Sequence, residues 1–225
     1  MPYLLNLDLS KNYILKLDGF DDEFAFQYLQ KVNLSSNKIS ELSQIKLKSL
    51  THLNLNDNAI TTSSHFKGHD KLKILELRKN KLKSLEGVEN MKELTELYIA
   101  ENELTSFQGL QNVPKLQKIH CRKNPIIKLS EVPNLPELEY LNLRESVIES
   151  IKEIHSLEGF LKLKILNIIG CPASEEMAGN LKKELIILMD KLPFKKINKE
   201  EVTEDEIKEA LDEKKERLKQ EEEVK

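Results

Sequence analysis

Residues 72–107 read LKILELRKNKLKSLEGVENMKELTELYIAENELTSF, and two copies of one frame lie inside that stretch. Leu72, Leu75 and Leu77 precede Asn80 by eight, five and three positions, and Leu82 and Leu85 follow it by two and five. Leu94, Leu97 and Ile99 take the same places before Asn102, with Leu104 and Phe107 after it. The frame extends outward in both directions. Asparagines occupy its anchor slot at 12, 37, 58, 80, 102 and 124, and Ser146 and Cys171 occupy it in two further copies. Of the forty apolar slots in these eight copies, thirty-eight hold apolar residues, Ser63 and Glu176 being the departures. A chain that is 39% hydrophobic would fill roughly sixteen of them by chance, so the repeat dictates the fold.

The stretch from five to three positions before each anchor alternates apolar and polar, the pattern of a short strand with one buried face. One copy cannot cover its own leucines; stacking copies builds a continuous core, each buried leucine contributing roughly 1.5–3 kcal/mol. The asparagine sits where the chain turns inward and its backbone loses ladder partners, and its amide offers two donors and an acceptor to replace them. Cys171 and the single hydroxyl of Ser146 are expected to do part of that work. The frame is that of a leucine-rich repeat. The expected fold is an α/β leucine-rich repeat solenoid of about eight repeats of 21–25 residues, with a concave parallel sheet. The short period leaves room on the convex side for only a short helix or 3₁₀ turn, beginning near Gly87, Gly109 and Gly159. Two repeats are longer, through residues 18–28 (DGFDDEFAFQY, acidic and phenylalanine-rich) and 152–162 (KEIHSLEGFLK).

The ends divide the chain into a solenoid at 1–174, a cap at 175–203 and a charged tail at 204–225. The first strand motif (Leu4, Leu7, Leu9) starts almost at Met1, so residues 1–17 are expected either to cap themselves or to be covered by another protein. Residues 175–192 carry apolar side chains at 177, 181, 185, 188 and 192, a helical spacing able to cover the last repeat. Thr203 and Glu206 form a capping box for the next helix. Residues 204–223 favour a helix, yet only Ile207, Ala210, Leu211 and Leu218 are apolar. That segment reads as a frayed, solvated tail or as a projecting helix of about 25 Å that docks on a partner through Ile207, Leu211 and Leu218.

Other function classes find little support. No run approaches the roughly 18 apolar residues of a membrane span, and no charged segment followed by an apolar run opens the chain. Cys121 and Cys171 fall in core slots of non-adjacent repeats, which argues against a disulfide and for a reducing, cytoplasmic setting. The net charge of −3 over 32% charged residues mixes both signs. No phosphate-binding loop, dinucleotide motif, nucleophile elbow or zinc spacing occurs, so no catalysis and no cofactor is expected. His65 and His69 are four apart, but Lys67, Gly68 and Lys71 make their segment a polar loop rather than a metal-binding helix. Strand alternation instead directs positions −6, −4 and −2 outward from the concave sheet. It gathers Arg78, Tyr98, His120, Arg122, Tyr140 and Arg144 there, with Lys118 and Lys123 nearby. Arginine and tyrosine are enriched at protein-binding hot spots, so this face is expected to hold an acidic or amphipathic protein segment. Glu76, Glu96, Glu101 and Glu103 interrupt the patch and argue against nucleic acid.

The repeats resemble the short class found in phosphatase-regulator, splicing-factor and axonemal proteins. The C-terminal run LPFKKINKEEVTEDEIKEALDEKKERLKQEEE is similar to the tail of the leucine-rich-repeat-containing protein 23 family, radial-spoke components of motile cilia. Leu192, Pro193 and Ile197 fit that family's cap, with Asn198 for the usual aspartate, and Arg217, Leu218, Lys219, Gln220 and Glu221 fit the end of its charged helix. The resemblance implies a non-catalytic scaffold of the cytoskeleton, bound to spoke proteins in the axoneme of a cilium or flagellum. A phosphatase regulatory subunit and a spliceosomal scaffold remain alternatives within the same repeat class.

Overall fold

In each repeat the apolar residue five before the anchor is flanked by two residues that face the other way, and these three form a strand. The computed structural model describes residues 3–22, 24, 26–175 and 179–223. Eight strands follow the eight copies: β1 (Asn6–Asp8), β2 (Lys31–Asn33), β3 (His52–Asn54), β4 (Ile74–Glu76), β5 (Glu96–Tyr98), β6 (Lys118–His120), β7 (Tyr140–Asn142) and β8 (Ile165–Asn167). They pair in parallel and in register, so Leu53, Leu75, Leu97, Ile119, Leu141 and Leu166 stack as one row. The strands begin one residue earlier than the apolar alternation suggests, because ladder pairing stops where the chain bends toward the anchor. Between the sheet and the convex turns lies a core of fully buried leucines, isoleucines and phenylalanines, including Phe66 and Phe107.

The convex side is simpler than its expected helices. Most repeats return through turns alone. Among the described residues the convex helical segments are α1 (Ile151–His155) and the 3₁₀ turn Ser156–Gly159, both in the longer 152–162 repeat. Three extra residues supply the length that a helical turn needs. In the short repeats the turns pack tightly against their neighbours. A Cβ on Gly87 would lie 1.9 Å from the Ser63 carbonyl oxygen, and one on Gly109 would lie 2.3 Å from the Leu85 carbonyl carbon. Both glycines also hold a positive φ, at 92° and 93°, which glycine adopts without strain.

The asparagine ladder joins the turns. Asn102 donates from Nδ2 to the carbonyls of Leu77 in the preceding turn (2.9 Å) and Ile99 in its own (3.0 Å), and its Oδ1 accepts the Leu82 N–H (3.0 Å). Asn37, Asn58, Asn80 and Asn124 make the same set. Cys171 keeps one strand of it, its thiol donating to the Leu143 carbonyl at 3.2 Å. Ser146 does not. Its buried hydroxyl has no partner, contrary to the expectation that it would carry part of the ladder, because a hydroxyl is too short to reach the preceding turn. The Ile126 N–H that an asparagine there would accept turns instead to the Asn124 carbonyl.

At the C-terminal end, Pro172–Glu175 forms α2 and Leu181–Leu188 forms α3. The expected single helix over 175–192 is broken: Gly179, at φ 96°, stands between them. Glu176 and Met177, both named in the repeat and helix patterns, lie outside the described residues, as does Met1. Leu185, Ile186, Met189 and Leu192 close the core. The chain then adds β9 (Lys196–Ile197), parallel to β8, and reverses at Asn198 and Lys199 into the antiparallel β10 (Glu200–Glu201). Both turn residues have positive φ. Asn198 Oδ1 accepts the Ile168 N–H at 2.8 Å, which gives its side chain a structural role.

The last helix, α4 (Glu204–Glu223), starts at the expected capping box: Glu206 accepts from the Thr203 N–H (2.9 Å), and its own N–H reaches Thr203 Oγ1 (3.2 Å). Its root neither projects nor frays. Ala210 is fully buried, Ile207 packs on the core, and Lys182–Glu206, Lys183–Glu213, Asp190–Lys214 and Glu184–Arg217 pairs tie α4 along α3. Charge complementarity between the helices supplies what a narrow apolar stripe cannot.

Three outcomes follow from these contacts. Asn102→Ala leaves the buried Leu82 N–H without its acceptor, while the Leu77 and Ile99 carbonyls keep Asn80 and Asn124, and should cost about 1–3 kcal/mol in chemical denaturation. Ser146→Asn should instead add about 0.5–2 kcal/mol by restoring the missing rung; a loss would show that the slot cannot admit the amide. Ala210→Glu places a charge between α3 and α4, so limited proteolysis within residues 204–223 should accelerate at least about tenfold.

Candidate functional site

The concave sheet carries three outward columns, and the side chains expected there are brought together. Tyr98, His120 and Tyr140 stack across β5, β6 and β7, with ring centroids 4.5 Å apart at both contacts. The Tyr98 hydroxyl donates to Glu96, which also receives Lys118 Nζ at 2.9 Å. These bonds hold the Glu96 carboxyl below its ordinary value, the tyrosine contact leading, while burial and Glu96 push the Tyr98 phenol up. Desolvation between the two rings lowers the His120 imidazole. The stack is therefore a neutral ridge with acidic and basic groups fixed along it.

Arg78 and Arg122 flank Ala100 from the neighbouring strands, and both reach Glu101. Arg78 donates from Nε (3.0 Å) and Nη2 (2.7 Å), and Arg122 from Nη2 (3.0 Å). The hydrogen bonds from Arg78, and the charge of both guanidiniums, keep Glu101 ionised well below the usual carboxylate range. Arg144 Nε lies 2.8 Å from Glu145 Oε1 without the direction of a hydrogen bond. The arginines are thus oriented groups rather than bare charges. Glu101, read from sequence only as an interruption of the patch, is its clamp; its place directly after Ala100, between two arginine positions, was the available signal.

Another feature escaped the sequence reading. At position −4, Asp8, Asn33, Asn54, Asn142 and Asn167 each accept the N–H two residues later, at 2.8–3.2 Å. The ladder amides have taken the carbonyls that those N–H groups would otherwise meet, so a side-chain turn replaces the backbone bond. Where Glu76 holds the slot, Asn56 of the preceding turn accepts the Arg78 N–H instead (2.8 Å). Tyr98 and His120 offer no such acceptor, nor do Arg78 and Ala100 before them. Among the described residues nothing receives the N–H of Ala100 or of Arg122.

The tail residues do not join this site. Ile207 is committed to the core of its own chain, Leu211 is half-buried on α4, and Leu218 alone stays largely open, at 52% exposure. Large exposed apolar side chains concentrate elsewhere: Tyr3, Leu5, Tyr13, Leu15, Phe24, Phe26 and Tyr28 all lie in the first two repeats, where Tyr3 and Tyr28 stack at 5.9 Å. Phe20, in the acidic loop, is by contrast buried.

The histidines and cysteines have structural work. His69 Nε2 bonds the Leu47 carbonyl at 3.0 Å, and its Nδ1 accepts the N–H groups of Lys71 and Leu72, so both nitrogens are engaged. His65 pairs with Glu41, and His52 with Glu76 at 2.6 Å; the His52 contact, with Asn56, lowers the Glu76 carboxyl. Cys121 and Cys171 are free and buried, and desolvation pushes the Cys171 thiol to about 11 and Cys121 higher still. Neither is a thiolate nucleophile. No described helix is long and apolar enough to cross a membrane.

Residues 29–68 and 70–112 match the family model described as leucine rich repeats (2 copies). With eight stacked repeat strands and their asparagine ladder, the fold is a leucine-rich repeat solenoid. Among solved structures, internalin C2 from Listeria monocytogenes is similar at 20% identity and a TM-score of 0.53, over 70% of this chain and 77% of that one. The Drosophila melanogaster SNF/U2A′ complex contains a chain similar at 16% identity and a TM-score of 0.48, over 57% and 76%. At these identities the internalin likeness is one of fold. No curated protein sequence matches the chain significantly.

Burial of His69 and His120 has a pH consequence. Both imidazoles are lowered from 6.5 in the fold, so the unfolded chain binds protons first as pH falls. Their contribution to stability is complete above about pH 6.5 and is lost as pH drops through the folded values. Thermal midpoints should therefore fall between pH 7.5 and 5.5, and His69→Gln, though less stable at pH 7.5, should show a shallower slope.

Proposed function

We propose that this protein is a non-catalytic interaction scaffold that grips a protein segment on its concave face and operates in the radial spoke of a ciliary axoneme. The observation that carries the scaffold reading is the concave ridge Tyr98–His120–Tyr140 beside Arg78 and Arg122, both oriented by Glu101. Aromatic and arginine side chains already held in one arrangement lose little conformational freedom on binding. The ciliary assignment is supported by the resemblance of residues 192–221 to the tail of the radial-spoke family. Partners are other proteins, and no nucleic acid, membrane or cofactor enters this reading.

A second contact surface is the apolar cluster Tyr3, Leu5, Tyr13, Leu15, Phe24 and Tyr28. Large apolar side chains left exposed in number within two repeats mark interaction sites where they form a patch, as Tyr3 and Tyr28 do. We assign it to a subunit that covers the first strand edge. Leu218, exposed on α4, is the tail residue left for a partner.

Two experiments test the reading. Tagged protein should localise to cilia and remain with salt-extracted axonemes; absence from cilia together with co-purification of a phosphatase catalytic subunit would sink the axonemal assignment. Arg122→Glu combined with Arg144→Glu should abolish partner capture while the circular dichroism stays that of the folded solenoid, the thermal midpoint falling only modestly because Arg122 gives up its pair with Glu101. Undiminished capture would place the working surface elsewhere.

A further inference from the structure

The first repeat differs from the others in ways that an open end does not require. Any solenoid end leaves core leucines half covered, as Leu4, Leu7, Leu9 and Ile14 are here. Its outward columns, however, are apolar as well. Position −7 holds Leu5, and every later repeat is polar there, from Gln30 to Lys164. Position −9 holds Tyr3 and then Tyr28, followed only by serine, lysine and glutamate. Position +3 holds Leu15, where the later repeats are polar except at Ile127. Tyr3 is 81% exposed and Tyr13 85%. The backbone of β1 is open on the same side. Lys31 donates to the Leu5 carbonyl (3.1 Å) and Leu9 to that of Asn33 (2.8 Å). The odd residues of β1 therefore bond β2, and Asn6 and Asp8 turn their N–H and C=O groups toward the edge. Lys31, in register with Asn6, and Asp8 have no ion-pair partner among the described residues.

We infer that this edge pairs with the β1 edge of a second copy of the chain, antiparallel about a two-fold axis through Leu7. Both backbone groups of Asn6 meet those of Asp8 in the second copy, and the reverse. Leu7 faces its own counterpart as a non-hydrogen-bonded pair, where side chains come closest, and Leu5 faces Leu9, which closes one core against the other. Because the two strands run oppositely, the Tyr3–Leu5 flank of each copy meets the Tyr13–Leu15 flank of the other. On the concave side Asn6 lies between Lys31 of its own chain and Asp8 of the second copy. Those two stand two strand spacings apart, roughly 10 Å, which a lysine and an aspartate side chain span together. A register centred on Asp8 would instead set two carboxylates directly opposite each other, so charge selects the Leu7 centre. The contact uses one patch on both copies and closes at two. This inference rests on the reading above that a subunit covers the first strand edge, and it names that subunit.

The test is sedimentation equilibrium of the full chain, with circular dichroism to confirm the fold of each variant. The chain should sediment with the mass of two copies. Leu5→Glu changes a side chain that is exposed in the single copy and buries a carboxylate in the pair, so it should raise the dissociation constant on the order of a hundredfold or more. Asp8→Lys sets lysines against Lys31 across the axis, and Lys31→Asp sets aspartates against Asp8; each variant alone should dissociate about tenfold or more readily. Mixed in equal parts, the two should associate again, because each then brings the charge that the other lacks. A contact made within one chain gives no such recovery. A single-copy mass at every concentration, or a mixture no more associated than its components, overturns the proposal. The wider reading is tested apart from it, through the proteins that co-purify with a chain of single-copy mass. A set altered by Leu5→Glu shows the edge covered by a different protein and overturns the second copy alone; an unaltered set removes the covered edge as well.

Discussion

One carbonyl oxygen per turn, three residues before each anchor, holds this solenoid together. It receives the amide of its own asparagine and that of the next, as the Leu77 carbonyl does from Asn80 and Asn102. That shared acceptor ties each turn to its neighbour inside the core, where an unpaired group would cost about 1–3 kcal/mol. It also has a consequence on the other face. The N–H that would have met the same carbonyl must find another acceptor, and the concave Asp/Asn column exists to supply one. The binding face is therefore shaped by a bond on the core side of the sheet.

The concave surface then depends on where that second column lapses. Glu76 keeps its neighbour closed through Asn56, but Tyr98 and His120 do not. The aromatic ridge, the clamped arginines and the unclaimed N–H groups fall within four adjacent repeats, and each results from side-chain choices at a few positions before the anchor. Glu101 converts two mutually repelling guanidiniums into a fixed pair. Local electrostatics and the repeat geometry thus act on the same few residues.

The solenoid, its register and the outward columns were legible because a fixed period multiplies a weak local signal: Leu75 alone says little, but Leu75 stacked with Leu53, Leu97 and Ile119 decides the face. Other features were not legible because they depend on partners distant in sequence. The unpaired hydroxyl of Ser146 follows from reach between turns, not from residue type. The break at Gly179 depends on backbone conformation that helical spacing at 181, 185, 188 and 192 conceals. The docking of α4 arises from Arg217 meeting Glu184, thirty-three residues away. The role of Asn54 was not legible because it depends on an N–H that the ladder amides, not any neighbour in sequence, leave without a backbone acceptor.

The antiparallel reversal at Asn198 and Lys199 has a bearing on self-association. A parallel stack can in principle accept another strand of its own kind, and a chain of many similar repeats is therefore at risk of joining copies end to end. Here the last strand runs the opposite way, is two residues long, and consists of Glu200 and Glu201, both exposed. An incoming copy would meet reversed polarity, too few bonds to hold it, and two carboxylates. The C-terminal edge thereby limits polymer growth as well as closing the core.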